Sequence, residues 1–318
     1  MKRLATFVSA ILVAGWLQSG LWAEEKPPAA APPATAQTPL VSEAHPGLAS
    51  GCLTYARLTE LPKGTLLRAG DLTLTEKDVA DEIAKAPPDV QTQLKKNGFF
   101  MLEQIAGPKL IVQVAKAEAA RTGEALPSTE ERVIMEYHLG GRIGNLKVTD
   151  AEVEDFYKNN KDMFGDATLD QVGSNVRHYL LQEKQQKAMA EYIKTLGQRT
   201  PIEVSAAWVK EQAALAQDNP VDKARASGKP SMVDFGASGC RPCELMVPIL
   251  ADLKKKYEGK ANVFFVHVRE EPVLAARYAV QSIPVQVFFD KDGKEVFRHV
   301  GFFPQAEIEK KLAEIGVK

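Results

Sequence analysis

The pair Cys240 and Cys243 constrains this chain more than any other feature. Two residues separate them, the apolar run Ser231-Met-Val-Asp-Phe-Gly236 precedes them, and a helical stretch follows. A cysteine at a helix start faces unpaired backbone amides and the positive end of the helix dipole, which stabilises its thiolate. A second thiol two residues further on can reach a mixed disulfide and release the product. Cys240 is therefore the expected nucleophile, and Cys243, one turn further in, the expected resolving thiol. Arg241 supplies a cation that would lower the Cys240 pKa further, unless it is only a solvated surface charge. Pro242 suits the first helical turn, where its missing amide has no intrahelical partner, and it stiffens the loop. Structural zinc normally takes four ligands and the chain has no second cysteine pair, so no metal is expected. A permanent structural bridge fits poorly with so short a loop at a helix start, where labile disulfides are found.

The elements around this pair define a domain over residues 218–318. They run helix, strand at 231–236, the cysteine helix, strand at 263–268, short helix, strand at 285–290, turn, strand at 295–300 and a final helix at 304–315. Alternating strands and helices of this length make an α/β sandwich. Asp234 lies inside an apolar strand, an expensive place for a carboxylate unless it is paired or functional.

The segment Val233-Asp-Phe-Gly-Ala-Ser-Gly-Cys-Arg-Pro-Cys243, followed in order by Ser282-Ile-Pro-Val285, resembles the thioredoxin family. The resemblance implies that fold and thiol–disulfide exchange, and it casts Asp234 as the buried acid that relays a proton to the resolving cysteine. It also implies a cis bond between Ile283 and Pro284, opposite the disulfide, where an extended substrate pairs with the backbone. Gly301 matches a glycine near the site that allows close substrate approach, although a turn requirement explains it equally well. No cofactor is implied beyond the redox-active disulfide, which needs an external electron donor. Two departures stand out: Gly236 and Gly239 replace aromatic residues before the motif, and Phe265 stands where a buried lysine often accompanies the acid.

The other end of the chain points to export. Lys2 and Arg3 precede an apolar run from Leu4 to Leu17, and Gln18-Ser-Gly-Leu-Trp-Ala23 closes it, as in a secretory signal peptide at 1–23 cleaved after Ala23. The run is shorter than the roughly 20 residues of a spanning helix, so no membrane span is expected after cleavage and the location is periplasmic or otherwise exported. Residues 24–50, rich in Pro and Ala, read as a linker, flexible to about Gly47. Cys52 follows a superficial lipoprotein box, but a polar segment separates it from the hydrophobic region; a small semi-buried side chain is the expectation. With 40 basic and 41 acidic residues the formal net charge is -1, which disfavours a nucleic-acid partner.

Residues 51–204 read as mostly helical after a short strand pair at 65–68 and 72–74, with Ala69-Gly-Asp71 as its turn. Helices are expected near 76–85, 89–96, 100–121, 129–139, 150–160 and 169–196, with Pro108 kinking or dividing the third. Capping boxes at Ser128, Thr149 and Thr168 mark helix starts. In the last helix Leu169, Val172, Val176, Tyr179, Leu180, Ala188, Tyr192 and Leu196 recur at helical spacing, which predicts a core-facing stripe. Leu67-Arg-Ala-Gly-Asp-Leu-Thr-Leu-Thr-Glu-Lys-Asp78, the helix from Leu102 to Lys116, Val148–Tyr157 and Val172–Gln186 resemble the chaperone region of SurA/PpiC-type periplasmic prolyl isomerases. Where that family commonly inserts its isomerase domain, Phe164-Gly-Asp-Ala-Thr168 joins the helices directly, so isomerase activity is not implied. Residues 205–217 read as a connector, helical after Val204.

The expected fold class is thus multidomain: an N-terminal, mostly α-helical SurA-like domain plus a C-terminal α/β thioredoxin fold. The expected function is an exported thiol–disulfide oxidoreductase, reductase or isomerase-like, acting on disulfide-containing or unfolded client proteins and recharged by a redox partner protein. The alternative is a periplasmic holdase whose second domain is secondary or a binding module.

Overall fold

The structure, a computed structural model, describes residues 38–318, which form one compact unit. The expected signal peptide and the first part of the expected linker lie outside the described residues. The tether does not extend to Gly47. Leu40 bridges to Arg57, helix α1 (Val41–Ala44) follows, and Val41 and Leu48 are buried in the N-terminal core. These few apolar anchors are too sparse to form a periodic pattern, yet each finds a slot prepared by residues far along the chain.

The N-terminal module continues through β1 (Arg57–Thr59), β2 (Thr65–Ala69), β3 (Leu72–Thr75), α2 (Glu76–Ala84), α3 (Pro88–Lys96) and α4 (Gly98–Thr122). Then come α5 (Glu131–Ile143), α6 (Asp150–Asn159), α7 (Lys161–Phe164), α8 (Leu169–Arg199), β4 (Glu203–Ser205) and α9 (Ala206–Ala216). The expected hairpin is β2–β3, paired from Thr65↔Thr75 to Ala69↔Leu72. Two further strands of three residues each, β1 and β4, complete a sheet of order β1-β4-β2-β3. They tie the start of the module to its end, through the parallel register Arg57↔Glu203 to Thr59↔Ser205.

Helix starts follow local chemistry where a capping side chain is in place. The Thr149 and Glu152 side chains cap α6 reciprocally, as do Thr75 and Asp78 on α2, and the Gln171 side chain accepts the Thr168 amide at the start of α8. Ser128 departs from expectation: its hydroxyl accepts the Glu130 amide in a turn ahead of α5, and the helix begins at Glu131 with no side-chain cap. Helix α4 runs unbroken through Pro108. Its Phe99, Leu102, Ala106 and Leu110 are fully enclosed, and each large apolar side chain buried this way stabilises the fold by roughly 2–3 kcal/mol.

Two expectations fail at the boundaries. The connector is helical as expected, but its helix α9 buries Val209, Ala213 and Ala216 in the same core as α4; it packs as part of the N-terminal module. The stripe on α8 is core only in part, since Val176 and Leu196 are buried while Val172, Tyr179, Leu180, Ala188 and Tyr192 remain half-buried. The middle of this 31-residue helix borders cavities rather than packed side chains, which leaves its stripe half-buried.

The C-terminal module comprises α10 (Pro220–Arg225), β5 (Ser231–Gly236), α11 (Arg241–Lys256), β6 (Asn262–His267), α12 (Pro272–Arg277), β7 (Val285–Phe289), β8 (Glu295–Val300) and α13 (Gln305–Glu314). Its sheet has the order β6-β5-β7-β8, with β5 and β6 parallel and β7 antiparallel to both neighbours. Alternate residues of the central strands face opposite layers. Met232 and Phe288 pack with Met246, Leu250 and Leu253 of α11 and Ile308 and Leu312 of α13; Val233, Phe235 and Phe289 pack with Val221 of α10 and Leu274 of α12.

Buried polar groups join the two modules. Arg277, almost wholly buried, donates to the Ala216 carbonyl at 2.8 Å and pairs with Asp222 at 3.2 Å. Asp222 also accepts the Tyr278 hydroxyl at 2.7 Å. On the adjoining surface the Gln93 amide donates to the Glu270 carbonyl, and Val273 inserts into the N-terminal core. The ion pair lies within the C-terminal module; the bonds that cross are those from Arg277 to the Ala216 and Gly47 carbonyls, and separating the modules would leave this buried cation short of acceptors.

Candidate active site

The site is built where β5 ends and α11 begins. Cys240 is the residue that caps α11, with extended backbone, and the Cys243 amide points at its sulfur from 3.3 Å. This places a backbone donor and the positive helix end on Cys240, the arrangement that favours a thiolate. Cys243 is 3% exposed, Cys240 is half-buried, and the two are disulfide-bonded. Arg241 occupies the first turn in an exposed position, and Pro242 lies beside it where no amide is needed.

Asp234 is fully buried on β5. It shares a strand face with Gly236, where an added Cβ would lie 3.4 Å from the Cys243 sulfur. One carboxylate oxygen accepts the Gln286 side-chain amide at 2.6 Å, a contact set by the cross-strand pairing Asp234↔Gln286. The other oxygen has no hydrogen-bond partner among the described residues. Burial pushes the Asp234 pKa up from 3.8 to about 6, and the Gln286 hydrogen bond opposes the rise. Sequence reasoning missed Gln286, although a lone amide inside Val285-Gln-Val-Phe-Phe289 is a signal of the same kind as Asp234 in its own strand.

The two departures in the motif meet each other in space. Phe265 pairs across β6 with Asp234, and its ring edge would lie 2.8 Å from a Cβ on Gly236. The space that a larger residue at 236 would need is filled from the neighbouring strand by Phe265, which itself stays 42% exposed. Next to it, the Ser238 amide donates to His267 Nε2 at 3.2 Å, and Phe265 meets the His267 ring edge-on. His267 thus pins the loop that leads into Cys240, a second residue the sequence did not single out.

Opposite the disulfide the Ile283–Pro284 bond is cis, and the Ile283 carbonyl oxygen lies 3.9 Å from the Cys240 sulfur. Gly301, at φ 99°, occupies a backbone region that side chains disfavour. Its amide donates to the Pro284 carbonyl at 2.8 Å. The turn requirement and the proximity to the site both hold for this glycine. The third cysteine, Cys52, is remote in character: it is 1% exposed, and burial, with a smaller contribution from the Glu103 charge, pushes its thiol up to about 12.

Fold and site together define a thiol–disulfide oxidoreductase-type centre. The family described as "Thioredoxin-like domain" matches residues 217–316. A thioredoxin of Staphylococcus aureus (strain Mu50 / ATCC 700699) is 44% identical over 77 residues, which are 24% of this chain and 73% of the relative. Among solved structures, chloroplastic thioredoxin z is 30% identical, over 31% of this chain and 88% of its own, with a TM-score of 0.29. A thioredoxin from Nicotiana alata is 31% identical, over 30% and 79%, with a TM-score of 0.27. The chain belongs to the thioredoxin family, through its C-terminal module.

Proposed function

We propose that this protein is an exported thiol–disulfide oxidoreductase that reduces or isomerises disulfides of client proteins, and that its helical module, SurA-like in plan, holds the client. The observation that carries the redox reading is the placement of Cys240 on the end of α11 with the Cys243 amide at its sulfur. In the reduced enzyme the Cys240 thiolate attacks one sulfur of a client disulfide; the S–S bond breaks, a mixed disulfide forms and one client thiolate leaves. Asp234 takes the proton of Cys243, whose thiolate attacks the Cys240 sulfur, forming the Cys240–Cys243 disulfide and releasing the second client thiolate. Two electrons pass to the client, and an external dithiol protein returns them. Arg241 favours the thiolate at Cys240, while Ile283, Pro284 and Gly301 frame the substrate backbone.

The half-buried middle of α8 supports the second reading, a holdase whose redox chemistry is secondary. One comparison separates the two. Cys240→Ser is expected to abolish reduction of a protein disulfide and to leave suppression of client aggregation intact; loss of neither activity sinks the catalytic reading. Cys243→Ser is expected to accumulate mixed disulfides on Cys240, visible as adducts on non-reducing gels. A reduction potential near about −120 mV, the range of strong dithiol oxidases, would overturn the reductive direction.

A further inference from the structure

A cleft runs between the middle of α8 and the loops that frame the disulfide. Its main cavity, about 580 Å³, shares Gln186, Ala190 and Gln281 with a second of about 500 Å³ whose far side is α5 and its end, at Leu139, Ile143 and Gly144. Tyr179, Glu183, Gln186 and Ala190 succeed one another at steps of four, three and four along one face of α8 and form one wall. Gln281, His299 and Val300 of the C-terminal module form the other. Gln281 lies two residues before Ile283, whose carbonyl approaches the Cys240 sulfur, and Val300 directly precedes Gly301, which holds the Pro284 carbonyl. The cleft is thus lined by residues one or two positions along the chain from those that frame the exchange site.

Its lining has a definite chemistry. Side-chain amides at Gln186 and Gln281 can donate to and accept from a peptide backbone whatever its sequence, while Phe156, Ala190 and Val300 offer apolar surface between them. Glu183, Lys187 and Arg298 bring both signs of charge, which suits neither a phosphate chain nor a nucleic acid. β8 is the outer strand of its sheet, so one edge of its backbone is open to an added chain. From Tyr179 to Ala190 the helix extends about 16 Å, the length of about five residues of extended chain. Bonds from the buried Arg277 to the Ala216 and Gly47 carbonyls hold the C-terminal module against the N-terminal one, so the cleft is preformed and little ordering is needed on binding.

We propose that this cleft binds the segment of client polypeptide flanking the cysteine under attack, as about five residues of extended chain lying between α8 and the cis-proline loop. The proposal rests on the redox reading above and names where that reaction takes hold of its substrate. It is tested on the full chain with one reactive chromophoric disulfide presented two ways: on the cysteine of a short linear peptide, and on free cysteine. The leaving thiol is the same in both, so the ratio of the two kcat/KM values isolates contacts to the peptide. Ala190→Trp and Gln186→Trp, both at exposed positions of α8, are each expected to lower that ratio about tenfold, about 1.4 kcal/mol, chiefly through KM. Lys194→Trp, at an exposed position of α8 that lines neither cavity, is expected to leave the ratio as it was, and thermal denaturation of each variant checks its fold. An unchanged ratio in folded tryptophan variants overturns the cleft and leaves the redox reading standing. A parent protein that reduces neither substrate fails at the earlier step, and the two failures are thereby distinct. Should either tryptophan variant misfold, the readout passes to Cys243→Ser carrying a trapped peptide with a photoreactive side chain three residues from its cysteine: crosslinks within residues 179–190 support the cleft, and crosslinks confined to the C-terminal module overturn it.

Discussion

Glu103 of the N-terminal module and Asp234 of the C-terminal module are both buried carboxylates, and they are buried for different reasons. Glu103 of α4 accepts the Ser50, Gly51 and Leu53 amides at 2.8–3.1 Å, so its oxygens close a loop that would otherwise bury unpaired donors. Asp234 accepts one amide, from Gln286, and keeps its second oxygen without a partner among the described residues. Burial raises the pKa of both. The number of donors tells them apart: a carboxylate saturated by backbone is a clasp, and one left half-satisfied, on the strand face whose Gly236 adjoins the Cys243 sulfur, fits the proposed proton relay.

The comparison can be broken by mutation. The largest effect is expected from Glu103→Ala, which strands three backbone donors and lowers stability by about 4 kcal/mol, read from the urea midpoint; a loss of exchange activity without loss of stability would make Glu103 a chemical residue after all. Asp234→Asn is expected to act in the opposite sense. Because the native pKa of about 6 lies above the ordinary 3.8, the folded protein retains a proton that the unfolded chain has released between those values. Stability from this group is complete below about 3.8 and is lost as pH rises through about 6, a difference of about 3 kcal/mol. The asparagine variant should be more stable than the parent at pH 8 by up to that amount, and should lose the rise in exchange rate near pH 6; an unaltered pH–rate profile would remove Asp234 from the relay.

Smaller effects sharpen the contrast. Gln286→Leu removes the one donor that favours the charged carboxylate, so the inflection in the pH–rate profile is expected to move upward, with about 1–2 kcal/mol lost at pH 8. An inflection that stays in place would mean that the amide does not govern the acid. His267→Phe withdraws the acceptor of the Ser238 amide and is expected to cost about 1 kcal/mol and to slow exchange a few-fold, measured with a small disulfide so that the client plays no part.

Legibility in the sequence followed the range of the interactions concerned. Cys240, Cys243 and Pro242 act within one helical turn, and Asp234 announces itself because a carboxylate in an apolar strand is costly wherever the strand goes. The helix starts at Thr149 and Thr168 were legible for the same local reason. β1 and β4 were not, since strands of three residues carry no periodicity and exist only because Arg57 and Glu203, at opposite ends of the module, are brought into register. α9 was visible as a helix but its ownership was not, because an apolar face at Val209, Ala213 and Ala216 says that something covers it without saying what. Gln286 and His267 became functional candidates only as partners, one across β5 and β7, the other across the loop before Cys240.

The sequence by itself determined the reactive pair, its order of attack as an expectation, and the α/β plan around it, because helix ends, thiol spacing and strand alternation are consequences of nearest neighbours along the chain. Only the tertiary structure decided which donor restrains Asp234, how Phe265 fills the space over Gly236, and that α8 stands beside the cis-proline loop. Each of these depends on contacts between residues far apart in sequence. Such contacts are set by packing and hydrogen-bond satisfaction over the whole fold, and no local pattern encodes them.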